Sequence, residues 1–481
     1  MRFYTTGTLR YTSSGLGLLF FWLLWGDFCV NLMEAVIPNV IPLKLKSLGG
    51  SATLISIFMT SLPGVVLLVW NPVIATWSDR TRTRWGRRIP FLLAGTPAMA
   101  LILTALGFYD PAGRWLASWM GGAFMTAAGS IVVLGLLVLM FHMCNSFVWF
   151  PYWSLFNDTV PREVMGRFSM LFRIVSTAAV AAFNFLVFPH AETHYRQIFV
   201  GAGIVFAIAY LLMCLNVKEG EYPAPRVIRR RDGGFGEKVG AYFRECFGHP
   251  FYWYLNLGAA FTVVGGAATP FILLMNKSLG LDLQQIGWIN GGAALITLPA
   301  FFVAGFLIDR WNVVKIMFYG RLLQTLVTAG FLVFLFADLT PRQVLTVTVV
   351  LNLLLLIVTA ILLVATLPMQ MRLLPRERYG QFTSAMSVTV GVAGIVAGAL
   401  MGGFIDGMRY VHHGSDFALR YAPLWLTCFY GAATYMQYRV HRHVQAVCGG
   451  NLSAFVPPDT SEIPESSLAR ACEPLTQENE C

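Results

Sequence analysis

The sequence predicts an all-α integral membrane protein with twelve transmembrane helices in two six-helix bundles, related by a pseudo-two-fold axis. Three observations predict it. Hydrophobic residues fill 56% of the 481 positions and charged residues only 12%, which leaves too little polar surface to solvate several soluble domains; a mean hydropathy of +0.63 agrees. The charges are confined to short stretches between apolar runs of roughly 20 residues, the length that carries a helix across about 30 Å of hydrocarbon. Loop sequences from the first half of the chain return at matched places in the second.

The apolar runs lie at 16–42, 51–77, 90–109, 119–149, 168–189, 197–217, 251–275, 285–308, 315–337, 343–367, 380–404 and 421–438. The first continues from Leu16 to Pro42 without a small-residue cleavage pattern, which suits an uncleaved span. Residues 1–217 then form an N-terminal bundle and 251–440 a C-terminal one. Between them, 218–250 is a cytoplasmic linker containing Pro223, Pro225 and Arg229-Arg230-Arg231. Residues 441–481, with Pro457-Pro458 and a Ser/Glu-rich composition, read as a disordered cytoplasmic tail. The sequon Asn451-Leu-Ser on that tail reads as chance.

Charge placement sets the orientation. The net charge is +10, but the basic residues flank apolar runs instead of forming one patch, so they mark topology and not a nucleic-acid partner. Arg80, Arg82, Arg84, Arg87 and Arg88, then Arg162 and Arg167, the linker arginines, Arg310 and Lys315, and Arg372, Arg376 and Arg378 all fall in loops that share one side. Both termini are therefore expected in the cytoplasm, with the protein in an inner or plasma membrane.

Other chemistries lack their residues. The eight cysteines are scattered without CxxC or metal-ligand spacing, so neither a disulfide framework nor a zinc site is expected. His190-Ala-Glu-Thr-His194 lacks the HExxH order and falls in a short outer loop. The Gly-rich run Gly391 to Gly403 has no phosphate-binding lysine and sits inside a span, where small residues let helices approach. No metal, no cofactor and no enzymatic activity are expected.

The internal echoes are Pro161-Arg-Glu-Val-Met-Gly-Arg-Phe-Ser169 with Pro375-Arg-Glu-Arg-Tyr-Gly-Gln-Phe-Thr383, and Ser78-Asp79-Arg80 with Ile308-Asp309-Arg310. Each pair occupies equivalent loops of the two halves, as parallel six-helix repeats require.

The string Ser78-Asp-Arg-Thr-Arg-Thr-Arg-Trp-Gly-Arg-Arg-Ile-Pro90 resembles the signature loop of the major facilitator superfamily. A basic topogenic loop would explain the arginines but not Asp79, Gly86 and the Asp309 echo. The resemblance implies transport by alternating access, with a cytoplasmic gate built from Asp79, Arg80, Arg87, Arg88, Asp309 and Arg310. Asp79, at a helix end, is expected to pair with nearby arginines or with the positive N-terminus of a neighbouring helix. Three further stretches are similar to the glycoside-pentoside-hexuronide cation symporters, the melibiose-permease group, and to sucrose transporters. They are Trp25-Gly-Asp-Phe28, Asn71-Pro72 followed by Thr81-Arg-Thr-Arg-Trp-Gly86, and Pro151-Tyr-Trp-Ser-Leu155. These cover the N-terminal half, while only the repeated loops extend the likeness to the C-terminal half.

Ionisable groups inside spans cost about 2.5–3.5 kcal/mol on insertion scales and are functional candidates by default. Asp27 and Glu34 lie two helical turns apart on one face of the first span; Glu34 also suits an outer-interface position. The resemblance implies a sugar-binding carboxylate at Asp27, a sugar-binding arginine at Arg173 and a ring-stacking tryptophan at Trp153. Snorkelling is the alternative for Arg173, and an interfacial belt the alternative for Trp153. His142 and Asn145, one turn apart on the fourth span, suit either the cavity wall or a helix-packing hydrogen bond. Where the melibiose group holds its cation with paired aspartates on span two and a carboxylate on span four, this chain has Leu67, Asn71 and Trp149, and the family's span-eleven lysine is missing from Gly380 to Phe404. The coupling set is then Glu34, Asp27 and Asn71, with a proton preferred to sodium and Glu34 its better carrier, because Arg173 opposes protonation of Asp27. The expected function is a monomeric, bilayer-embedded symporter of a sugar or glycoside; an exporter of drugs or small metabolites is the alternative.

Overall fold

In hydrocarbon an apolar run can satisfy its backbone N–H and C=O groups only within itself, as a helix, or in a closed barrel, and this chain takes the first course. A computed structural model describes residues 3–6, 8–81, 83–120, 125–220, 235–375, 378–449 and 455–458, and at some positions, Asp79, Arg80 and Asp309 among them, the backbone only. Among the described residues, eleven helical stretches are long and apolar enough to cross a membrane: Ser13–Ser47, Ala52–Ile74, Ile89–Gly107, Ala128–Phe156, Phe168–His190, Tyr195–Asn216, Pro250–Ser278, Leu283–Ile308, Val313–Phe336, Pro341–Leu373 and Tyr379–Val411. A more polar helix, Ala422–Cys448, packs against the seventh and ninth spans and completes twelve.

The two halves share a detail that only the structure shows. The first span is two helices, Ser13–Glu34 and Val36–Ser47, and the seventh repeats the break, as Pro250–Gly266 and Thr269–Ser278. Matched breaks in the leading span of each half extend the loop echoes to the backbone.

Two boundaries move, and the linker gains detail. The fourth span does not begin at 119, because Tyr109–Met120 is a separate helix and the spanning helix is Met125–Thr159. The short helix folds back so closely that a Cβ on Gly113 would sit 2.4 Å from the Ser130 Cα; apolar run length cannot register such a fold-back. The linker carries its own helix, Phe235–Phe247, while Pro223, Pro225 and Arg229–Arg231 lie outside the described residues. Nor is the tail disordered from 441: the last helix continues to Cys448. Phe455 is buried against the Phe251 ring at 5.6 Å, and the Pro458 carbonyl accepts the Tyr252 hydroxyl at 2.8 Å. Aromatic anchoring thus outweighs the polar composition there; Asn451 and residues 459–481 lie outside the described residues.

The halves meet along spans two and eleven and spans five and eight. Glycines make the approach possible: a Cβ would come within 2.3 Å of the Thr53 Cα at Gly402, 2.2 Å of the Ser61 Oγ at Gly398, and 2.3 Å of the Asn184 carbonyl oxygen at Gly287. This seam closes at the face opposite the two termini. Toward the terminal face, the end of span two, Asn71–Arg80, packs on span four of its own half.

Candidate functional site

Span two is not a regular helix. Two widened π turns, Ile57–Ser61 and Val66–Trp70, flank Leu62–Val65, and the second delivers the chain to Asn71-Pro72. Pro63 and Pro72 lack the N–H that an α-helix needs, and π turns of this kind frequently mark functional sites. The Trp70 indole nitrogen donates to the Met143 carbonyl at 3.2 Å, fixing this irregular stretch against span four.

A cavity of about 360 Å³ opens where the halves face each other, within the ~300–1,000 Å³ typical of small-molecule sites. Thr60, Asn71, His142, Asn145 and Ser146 form one wall; Val263, Val390 and Gly394 from the other half form the facing wall. The polar wall has unmet hydrogen-bonding capacity: Asn71 Oδ1, Asn145 Oδ1 and His142 Nε2 are buried with no partner. The amide of Asn145 is oriented by donating its nitrogen to Glu34 Oε1 at 2.7 Å. Glu34 therefore stands directly behind the wall, on span one.

The other candidates occupy neighbouring helices of the N-terminal half. Asp27 is wholly buried; the Asn31 amide donates to its Oδ1 at 2.7 Å and to its main-chain oxygen at 2.8 Å, leaving Oδ2 unpartnered. The Tyr152 hydroxyl donates to the Leu23 carbonyl at 2.8 Å and ties span four to span one beside it. Trp153 is half-buried in an aromatic cluster, 5.0 Å from the Phe172 ring and 5.6 Å from Trp149. Arg173 is exposed. The structure thus brings Asn71, His142 and Asn145 to one cavity, with Glu34 in contact, whereas Asp27, Trp153 and Arg173 do not line it.

The basic loop is held by span four and by the start of the linker. Arg87 makes a two-pronged pair with Asp158 at 2.7 and 3.1 Å, Arg88 reaches the same carboxylate at 3.4 Å and donates to the Ser78 hydroxyl. Glu219 accepts the backbone N–H groups of Arg87, Arg88 and Ile89 at 2.9, 2.7 and 2.6 Å, capping the start of span three. Arg310 lies over the Phe306 ring at 4.0 Å. The side chains of Asp79, Arg80 and Asp309 lie outside those described. Sequence reasoning missed Asn31, Asp158 and Glu219. An i,i+4 relation to Asp27 signals the first; the others are signalled only by being acidic residues at span ends on the arginine-rich side.

Residues 23–399 match the Major Facilitator Superfamily. The chain belongs to that superfamily. A bacterial homolog of the human lysosomal transporter Spinster, solved in an inward-facing and unoccupied conformation, shares this major facilitator fold with a TM-score of 0.65 and 14% identity, over 90% of this chain and 98% of that one. A D-xylose-proton symporter is similar with a TM-score of 0.59 and 12% identity, over 93% and 97% of the two chains. Among curated proteins, an uncharacterized symporter from Synechocystis sp. is 26% identical over 189 residues. That match spans 35% of this major facilitator chain and about a third, 33%, of the relative.

Proposed function

We propose that this major facilitator transporter carries a sugar or glycoside by alternating access, coupled to a proton. The observation that carries the reading is the unsatisfied polar wall of the seam cavity. Two amide oxygens accept hydrogen bonds and one imidazole nitrogen accepts or donates, a set that a polyhydroxylated cargo fills and a purely apolar one leaves empty. The small apolar wall opposite, Val263, Val390 and Gly394, takes the carbon face of such a cargo. The similarity to a D-xylose-proton symporter is in keeping with this cargo class.

Asp27, Trp153 and Arg173 contribute further contacts as the halves rock. Glu34, held by Asn145, is the proton carrier, and Leu67, Asn71 and Trp149 leave sodium without the carboxylate ligands it commonly takes in membrane transporters. The protein acts as a monomer in a cell membrane, with both termini cytoplasmic and the closed seam outside. A panel of labelled sugars and glycosides in proteoliposomes, with pH gradient and sodium varied independently, tests all of this. Uptake of at least one sugar that follows the pH gradient and ignores sodium is expected. Transport confined to apolar drugs, or a strict sodium requirement at constant pH, overturns it.

A further inference from the structure

The closed face of the seam is fastened by a carboxylate. Asp406, near the end of span eleven, accepts the Ala52 backbone N–H at 2.9 Å through Oδ1, and the Thr53 backbone N–H at 2.9 Å and hydroxyl at 2.7 Å through Oδ2. These are the first N–H groups of span two, which have no acceptor within their own helix and sit at its positive end. Gly402, one turn before Asp406, is what brings the helices close enough, since any side chain there would collide with Thr53. The Lys46–Asp416 pair at 2.7 Å and the Lys277–Glu192 pair join the same two halves on this face. Both of those pairs are largely exposed, with side-chain exposures of 30% and 47% for the first and 40% and 48% for the second, so they hold weakly.

Spans two and eleven therefore form one helix pair with an aspartate near an end at each face: Asp79 closes span two at the terminal face, and Asp406 closes span eleven at the other. We infer that Asp406 is a positioning residue of the transport cycle, the latch of the opposite face, capping span two from the other half while the cavity is closed to that side and releasing it when the cavity opens there. The inference rests on alternating access and is independent of which cargo is carried.

The test reads access rather than transport. A Val390→Cys reporter in the cavity wall is labelled with a membrane-impermeant thiol reagent in intact cells and in inverted vesicles, and the modified peptide is quantified by mass spectrometry so that native cysteines stay in place. Asp406→Ala is expected to speed labelling from the face opposite the termini by roughly tenfold or more, as loss of charge-assisted bonds implies, and to slow it from the terminal face. Thr53→Val, which removes only the hydroxyl contact, should shift both rates in the same directions by a smaller factor, and it serves alone if Asp406→Ala fails to fold. Unchanged rates, or rates that rise from both faces together, overturn the latch. Failure of sugar uptake in the panel above leaves this outcome untouched.

Discussion

Replacing Asn71 by leucine separates a cargo ligand from a structural residue. Asn71 Oδ1 is buried without a partner in the closed-seam structure, and such an acceptor costs about 1–3 kcal/mol. Leucine has nearly the same shape and no acceptor, so the empty protein should gain stability, by up to about that amount. The cargo loses one hydrogen bond, about 0.5–1.5 kcal/mol, which at ~1.4 kcal/mol per tenfold is a two- to twelvefold rise in Kd. Opposite signs for stability and affinity are the signature. Thermal unfolding of the purified protein without sugar, and equilibrium binding of the best cargo from the uptake panel, measure the two halves. Unchanged affinity, or stability and affinity falling together, would refute the assignment of Asn71 to the binding wall.

Three further outcomes are expected. Glu34→Gln keeps an acceptor for the Asn145 amide while removing the titrating proton, so sugar binding should hold within about twofold and uptake should stop following an imposed pH gradient; a retained pH response places the coupling proton elsewhere. Asp79→Asn should impair transport with membrane insertion intact, measured as uptake per unit of inserted protein, and normal uptake would sink the gate assignment. Single substitutions Asp27→Asn, Trp153→Ala and Arg173→Gln should each weaken equilibrium binding, and three unchanged Kd values would show that none of them touches cargo.

The architecture was legible because hydrocarbon leaves so few options: run length gives the spans, and arginines beside them give the loops that share a face. What escaped was whatever depends on a partner distant in sequence. The fold-back of Tyr109–Met120 is one more apolar helix to any local count, and only its contact with Ser130 reveals it. Asn145 and Glu34 were each visible as polar residues in spans, but their 2.7 Å contact joins positions 111 residues apart. Likewise Arg87 and Arg88 announced a charged loop without disclosing that Asp158 of span four and Glu219 at the start of the linker would hold them. Asp406 drew no reading from the sequence, and only the placement of its oxygens over the Ala52 and Thr53 N–H groups gives it a role.

The two π turns of span two give that helix a property it shares, among the described spans, with span five, which carries one at Phe183–Val187. Each holds one residue more than an α turn would, so the stretch from Ala52 to Asn71 contains spare length. Winding one such turn back into α geometry pushes everything beyond it about 1.5 Å along the axis and turns it by roughly 100°. Both ends of the helix are pinned, by Asp406 at one face and by packing on span four at the other. Rewinding a π turn would carry Asn71 and the helix beyond it as one piece, so it would have to break the Trp70–Met143 hydrogen bond and the packing on span four that hold that end.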